Sequence, residues 1–252
     1  MMDLKKDIKQ FLSRHNYTRV TPRAALIDMD GTLYDSMVNH TAAWHKMMLG
    51  LGVKCKRDEF YLYEGMTGAA TINLLFRRAF GHEVSPEECA RLYKIKTELF
   101  AQMPPVEPVE GAREVMNKIM DLGWKRVLVT GSGQSSLINR LPEDYPGLFD
   151  DDMRITSHSV KNGKPHPEPY LKALELARVK PWEAIVIENA PLGVKSGDSA
   201  GVFTIGVTTG PIPAKELLRA GAAIVFDSME QFAENFDSLI DALLNTSADS
   251  NV

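Results

Sequence analysis

Cysteine is scarce in this chain: two of its 252 residues, Cys55 and Cys89, lie far apart and in no CxxC pair. Neither a disulfide framework nor a cysteine-built zinc cluster can be assembled from them, and a reducing, cytoplasmic location is expected. No apolar run approaches the ~20 residues that a membrane-spanning helix needs. The first residues, MMDLKKDIKQFLSRHNY, alternate charge with isolated Leu, Ile and Phe and lack the continuous apolar stretch of a secretory signal. Basic excess is missing too: 29 Lys and Arg against 33 Asp and Glu give a net charge of −4. Without a global positive field, nucleic acid is not expected as a partner, and neither is a membrane. Internal repeats and low-complexity tracts are absent. The remaining composition, 44% apolar and 25% charged, excludes a disordered, collagen-like or coiled-coil chain. Its length allows one large domain or a core with a smaller companion.

What is present is an alternation of strand and helix patterns. From Arg23 the chain reads PRAALIDMDGTLYDS, a compact apolar run ending in turn formers, as a buried strand does when it feeds a loop at its carboxyl end. Similar runs recur at 125–130 (KRVLVT), 184–188 (AIVIE), 203–207 (FTIGV) and 223–226 (AIVF), with a weaker one at 153–156. Helical patterns such as 112–122 and 169–177 lie between them, which predicts an α/β fold: a Rossmann-like parallel sheet with helices on both faces. Residues 36–105 interrupt this alternation with three helical stretches and no convincing strand. One of them opens at Ser85-Pro86-Glu87-Glu88, with Ser as N-cap, Pro at the first helical position and Glu three residues beyond the cap. The proline-rich MPPVEPVEG then returns the chain to the body. The expected organisation is a core of residues 1–35 and 106–252 with an inserted helical cap, 36–105, above the carboxyl edge of the sheet. Residues 3–15 are expected to form an amphipathic helix leaning on the body, and SADSNV at 247–252 a frayed tail.

The chemistry gathers at the strand ends. Asp28-Met29-Asp30-Gly31-Thr32 follows the first strand directly, and residues two apart on an extended segment point the same way. Two carboxylates so close repel unless a cation or a shared proton compensates. One can then attack phosphorus while the other passes a proton to the leaving oxygen; the alternative is an acidic turn that caps a helix. Thr130-Gly131-Ser132-Gly133 offers a hydroxyl and exposed backbone N–H groups, a cradle for phosphate oxygens, although Gly-rich turns here are common. Lys164, in NGKPHPEPY, precedes a proline-stiffened approach to a helix that could hold its ammonium over the carboxylates. Glu188-Asn189, again at a strand end, supplies hard oxygen ligands of the kind Mg²⁺ prefers.

In this order the motifs resemble the haloacid dehalogenase superfamily, from about Arg23 to Met229. KPHPE at 164–168, ENAPLGVKSGDSAG at 188–201 and the helical insert are most similar to its β-phosphoglucomutase-like branch, a core with a C1-type cap. The resemblance implies Asp28 as the nucleophile that forms an aspartyl-phosphate and Asp30 as general acid/base. It implies Thr130, with the Gly131 and Ser132 amides, as phosphoryl-binding groups and Lys164 as the cation that neutralises Asp28 and phosphate. Mg²⁺ would be held by the Asp28 carboxylate, the Asp30 carbonyl and Asn189, with Glu188 close by. The physical logic is that an anionic nucleophile meeting an anionic phosphoryl group needs positive charge from metal and lysine. Asp30 argues against a dehalogenase, because halide leaves without a proton.

The chain departs from the mutase pattern at two positions. Asn189 stands where the branch usually carries Asp, which keeps an oxygen ligand and removes a charge. Gly68 stands where the mutases carry an arginine for the distal phosphate, so a bisphosphate loses its bidentate anchor. Glu64, in the loop EGMTGAA at 64–70, could reach the metal from the cap side and restore the charge missing at Asn189, or remain a solvated loop acid. If it reaches, the pocket is small, and the chain then looks similar to inorganic pyrophosphatases of this branch. His40 resembles the hinge histidine that gates proton transfer at the acid/base Asp, with helix packing as the plain alternative. Lys96 is expected to be an exposed helix lysine, His166 a loop filler, and Trp44, Met47 and Met48 core.

The expected function is Mg²⁺-dependent hydrolysis of a small phosphorylated compound, with inorganic pyrophosphate as the leading substrate. The alternative is a β-phosphoglucomutase or sugar-phosphate phosphatase. A receiver-like signalling domain is a third class, but its sheet is uncapped and its phosphoacceptor lies on a later strand. The pocket requires a single chain, so a monomer is expected.

Overall fold

The computed structural model describes residues 3–133 and 135–248. The chain opens with α1 (Leu4–His15), which Asp3 caps by accepting the Lys6 N–H and Asn16 closes in the left-handed conformation. β1 (Ala24–Ile27) follows and enters the sheet. The chain then leaves the sheet for α2 (Met37–Gly50), a 3-10 turn at Arg57–Tyr63, α3 (Gly68–Phe80) and α4 (Pro86–Ala101). It returns through α5 (Ala112–Asp121), β2 (Lys125–Val129), α6 (Ser135–Asp144), β3 (Arg154–Ile155) and α7 (Glu168–Ala177). β4 (Ala184–Glu188), α8 (Pro191–Ser199), β5 (Phe203–Val207), α9 (Ala214–Ala220), β6 (Ile224–Phe226) and α10 (Met229–Asn245) complete it.

All five neighbouring strand pairs are parallel, in the order β3-β2-β1-β4-β5-β6. β1 lies between β2 and β4, with Ala24–Ile27 in register with Lys125–Leu128 on one side and Ala184–Ile187 on the other. The chain builds outward from β1 to β3 and then crosses to β4. That reversal opens a crevice at the carboxyl ends of β1 and β4, where open α/β sheets take their ligands. Every residue of β1, β4 and β5 is buried, as a sheet covered on both faces requires. Alternate side chains serve opposite layers. Ala25, Ile27, Ile185 and Ile187 pack with α1, α5 and α10, whereas Ala24, Leu26, Val127 and Val186 pack with α7.

Helices α2, α3 and α4 enclose an apolar cluster of their own around Met47, Met48, Phe60, Ile72, Leu75 and Leu92. Trp44 is only partly buried at its edge. Ser85 caps α4 by accepting the Glu88 N–H with Pro86 in the first position, as its sequence predicts. The 3-10 turn carries no pattern that sequence reading detects. At the other end, Ser247 bridges to Arg19, and the Ala248 N–H donates to the Thr18 carbonyl. The expected fraying is therefore wrong for these two residues, which β-type pairing satisfies, and the rest of that tail lies outside the described residues.

α1 is anchored by Phe11, whose ring meets Phe203 of β5 edge-on at 5.1 Å between centroids. Phe203→Ala removes a fully buried ring and leaves a cavity between α1 and the sheet. A loss of about 3–5 kcal/mol is expected in urea unfolding, with the slope of the transition unchanged.

Candidate active site

The site stands on three strand ends and one lysine. The ladder continues one residue past β1, the Asp28 N–H donating to the Ile187 carbonyl at 3.1 Å, so the Asp28 side chain emerges at a fixed height above the sheet. Gly31 then turns the chain with φ +80°, and a Cβ there would collide with the Asn189 amide. Asp28 and Asp30 thereby line one cavity with Thr130, Gly131, Ser132, His40 and Glu64. The Thr130 N–H is fixed by the Ile155 carbonyl at the end of β3, and its hydroxyl accepts the Ser132 N–H at 3.0 Å.

Lys164 is 2% exposed. Its ammonium donates to Asp28 Oδ1 and to Glu188 Oε1, both at 2.6 Å, and to the Val129 carbonyl at 3.0 Å. Burial alone would depress such a lysine, but the two carboxylates outweigh it and hold its pKa above the usual value. Glu188 is turned inward. Its Oε1 also accepts the Tyr170 hydroxyl at 2.9 Å, and Oε2 accepts the Asn189 and Ala190 N–H groups at 3.1 and 3.3 Å. Gly193 permits this, since a Cβ at that position would overlap the Glu188 carboxylate.

Asp28 Oδ2 is buried and accepts no hydrogen bond from any described group. Burial first, then the Glu188 charge, push the Asp28 carboxyl far above the ordinary carboxylate range despite Lys164. Glu64 is also buried, at 8% exposure, and its Oε1 accepts the Asn189 side-chain N–H at 2.8 Å. Burial and the nearby Asp28 charge raise it as well. Thr32 donates to Asn189 Oδ1 at 3.4 Å, which fixes the amide's orientation. Lys164 answers Asp28 and Glu188, and Glu64 has the Asn189 amide, so when ionised the three carboxyls carry two more charges than the one ammonium balances.

Asp30 is solvated differently. Ser36 donates to its Oδ1 at 2.7 Å, His40 Nε2 lies 2.9 Å from the same oxygen, and Thr130 donates to Oδ2 at 3.4 Å. Burial would raise this carboxyl, but His40, the hydrogen bond from Ser36 and the Lys96 charge outweigh it and bring it down to about 2. Lys96 is the clearest correction to the sequence reading. It is 1% exposed, faces inward from α4, and places Nζ 2.5 Å from His40 Nδ1 beside the Phe100 ring. Burial brings it down to about 7. Lys96 falls on the face of α4 that packs against α2 and α3 with Cys89, Leu92 and Phe100, whereas Ala90, Arg91 and Lys94 occupy the exposed face.

Every site residue expected from the sequence stands in this constellation. Sequence reading missed Ser36, Tyr170 and Tyr93. Ser36 reads as a helix start and Tyr170 as helix packing, and nothing local announces their carboxylate partners.

The sequence profile of the haloacid dehalogenase-like hydrolases matches residues 25–207. The chain belongs to that family, within its β-phosphoglucomutase-like branch, and is a phosphoryl-transfer enzyme. It is 47% identical to a Bacteroides vulgatus structure described as a candidate β-phosphoglucomutase, with a TM-score of 0.91 over 95% of this chain and 98% of that one. It is 30% identical to the validoxylamine A 7'-phosphate phosphatase of Streptomyces hygroscopicus subsp. limoneus over 74% of this chain and 86% of that protein. To the phosphorylated carbohydrates phosphatase of Thermotoga maritima it is 29% identical, over 79% of this chain and 91% of the relative. Among the described residues no helix is long and apolar enough to cross a membrane.

The low Asp30 value fixes a pH dependence of stability. A carboxyl at about 2 in the fold and 3.8 in its reference state contributes its stabilisation above pH 4. That contribution, about 2 kcal/mol, is lost as pH falls from 4 towards 2. Urea unfolding at pH 6 and pH 2.5 should show Asp30→Asn losing less stability than the parent across this interval by about that amount.

Proposed function

We infer that this chain is a Mg²⁺-dependent phosphatase of small phosphorylated sugars or polyols, working through a phosphorylated Asp28. The observation that carries the reading is Asp28 itself, with one oxygen on Lys164 and the other buried, unpartnered and beside a cavity that also holds Asp30 and Thr130. The kinship with phosphatases of phosphorylated carbohydrates supports the substrate class. The reading treats residues 36–105 as a cap over the core.

The donor set suits a divalent cation. Among the described residues no three His, Cys, Asp or Glu side chains are grouped as a metal centre by themselves. An amide and a main-chain carbonyl would therefore complete the set: Asp28 Oδ2, the Asp30 carbonyl, Asn189 Oδ1 and Glu64. All are hard oxygens, and the two uncompensated charges match Mg²⁺. Glu188, committed to Lys164, Tyr170 and two amides, would act as a positioning group. When bound, the cation would neutralise phosphate oxygens and so lower the electrostatic barrier to an anionic nucleophile.

The chain's own residues account for the remaining chemistry. Asp28 attacks phosphorus, a bond forms from its carboxylate oxygen, and the bond to the leaving oxygen breaks. The leaving oxygen takes a proton that His40 Nε2 hands through the Asp30 carboxylate, and Lys96 replaces it on His40 at Nδ1; the proton later taken from water returns along the same relay. Asp30, ionised again, then removes a proton from the water that cleaves the phospho-aspartate, and Lys164 and Thr130 hold the phosphoryl oxygens in both halves.

A second reading, pyrophosphate hydrolysis, is favoured by the Glu64–Asn189 contact, which draws the cap low over a cavity of about 60 Å³. The relatives reported above bear the names of sugar-phosphate enzymes, so the sugar or polyol ester comes first. A mutase is disfavoured because no arginine lines the cavity among the described residues.

A phosphate-release screen with Mg²⁺ over polyol phosphates, hexose phosphates and pyrophosphate decides among these readings, beside a β-glucose 1-phosphate conversion assay primed with the bisphosphate. Asp28→Asn should lower turnover on the accepted substrate by roughly 10⁴-fold or more. Retained turnover in that variant ends the mechanism. Glu64→Ala should raise the Mg²⁺ concentration needed for half-maximal rate by roughly tenfold, the loss of one charged ligand; an unchanged requirement removes Glu64 from the donor set.

A further inference from the structure

Trp44, Phe60, Tyr63 and Tyr93 form an aromatic wall on the cap side of the cavity. Tyr93 differs from the others in what it touches. It projects from α4, and its hydroxyl accepts the Gly133 N–H at 3.2 Å, with Ser132 as a further hydrogen-bond partner. Gly133 belongs to the same loop after β2 that carries Thr130. On its other side the Tyr93 ring lies directly against Gly68, the first residue of α3, where any Cβ would penetrate the ring. The bareness of position 68 is thus filled from another helix. Lys96 Nζ lies 5.7 Å from the ring centroid, so the tyrosine also flanks the cation that backs His40.

We propose that Tyr93 is the residue that sets how large a leaving group this site accepts, and that it restricts the substrate to phosphates with a short, polar leaving group. Its ring occupies the volume that a side chain at 68 would otherwise use, and its hydroxyl ties α4 to the phosphate loop. The cavity above Asp30 therefore ends at the ring. The space left is about 60 Å³ in a cavity partly open to solvent, so the ring limits the leaving group where it passes α4 rather than by enclosing it. A three-carbon polyol or a second phosphate meets that limit. A hexose does not unless the ring moves.

The inference rests on the phosphatase reading for what fills the cavity, and its test separates the two. Tyr93→Ala and Tyr93→Leu are compared with the parent on glycerol 1-phosphate, pyrophosphate and glucose 6-phosphate with Mg²⁺. The ratio of kcat/KM for the hexose ester to that for the better short substrate should rise roughly tenfold or more, through the KM of the hexose ester. Tyr93→Phe, which keeps the ring, should hold the parent ratio within about twofold. Gly68→Ala should weaken orthophosphate binding in the parent and have little effect once Tyr93 is Ala, because the contested volume is then free. Binding of orthophosphate and glucose 6-phosphate is measured by calorimetry in an Asp28→Asn background, where turnover does not interfere. A parent that hydrolyses none of the three substrates overturns the phosphatase reading, while the calorimetric Gly68–Tyr93 coupling still reports on Tyr93. An unchanged selectivity and affinity ratio in both Tyr93→Ala and Tyr93→Leu, or additive effects at 68 and 93, overturns the assignment of Tyr93.

Discussion

One buried ammonium organises this molecule's chemistry. Lys164 is shared by Asp28 and Glu188 at equal distances, in a place where water cannot screen any of the three. Removing one partner of such a buried group strands a charge, at a cost of about 3–5 kcal/mol. The arrangement therefore persists only because Glu188 is itself held by Tyr170 and by two amides at the start of α8. Those contacts leave Asp28 Oδ2 without a partner among the described residues, beside the cavity that a ligand would enter.

The fold supplies this economy through its switch point. β1 and β4 are neighbours in the sheet although far apart in sequence, so Asp28 and Glu188-Asn189 end on the same rim in adjacent register. Two glycines permit the close approach, Gly31 beneath the Asn189 amide and Gly193 beneath the Glu188 carboxylate. A third, Gly65, lets the loop before α3 descend over the Lys164 side chain, which a Cβ would strike. Small residues at these points let side chains and the Glu64 loop approach the crevice closely.

The strands and most helices were legible because each is written locally: AALI, AIVIE and FTIGV are continuous apolar runs that only a covered sheet accommodates. Asp28, Asp30 and Lys164 were legible because chemistry restricts their type and spacing. What could not be read is what depends on a partner supplied by another element. Lys96 has the local pattern of a surface lysine, and only the packing of α2 against α4 turns it into a buried neighbour of His40. The bareness of Gly68 reads as a missing anchor, whereas the fold fills that space with Tyr93. Glu64 was ambiguous between solvent and site for the same reason: its partner, the Asn189 amide, comes from the end of β4.

The approach of Glu64 to Asn189 has an electrostatic condition. In the arrangement described, Glu64 is buried next to Asp28 with one amide hydrogen bond, and its carboxyl is held well above the ordinary range. A group whose proton affinity is higher in one arrangement than in water favours that arrangement when protonated, and opposes it when ionised. At neutral pH the contact between the cap-side loop and Asn189 is therefore disfavoured for an ionised Glu64, unless positive charge enters beside it. A divalent cation at the Asp28 and Asn189 oxygens would relieve the same repulsion that protonation relieves. On the proposed reading, the Glu64–Asn189 contact and the filling of the Asp28 oxygen would be coupled through one carboxylate, and the loop that carries it, Glu64-Gly65-Met66, lines the cavity.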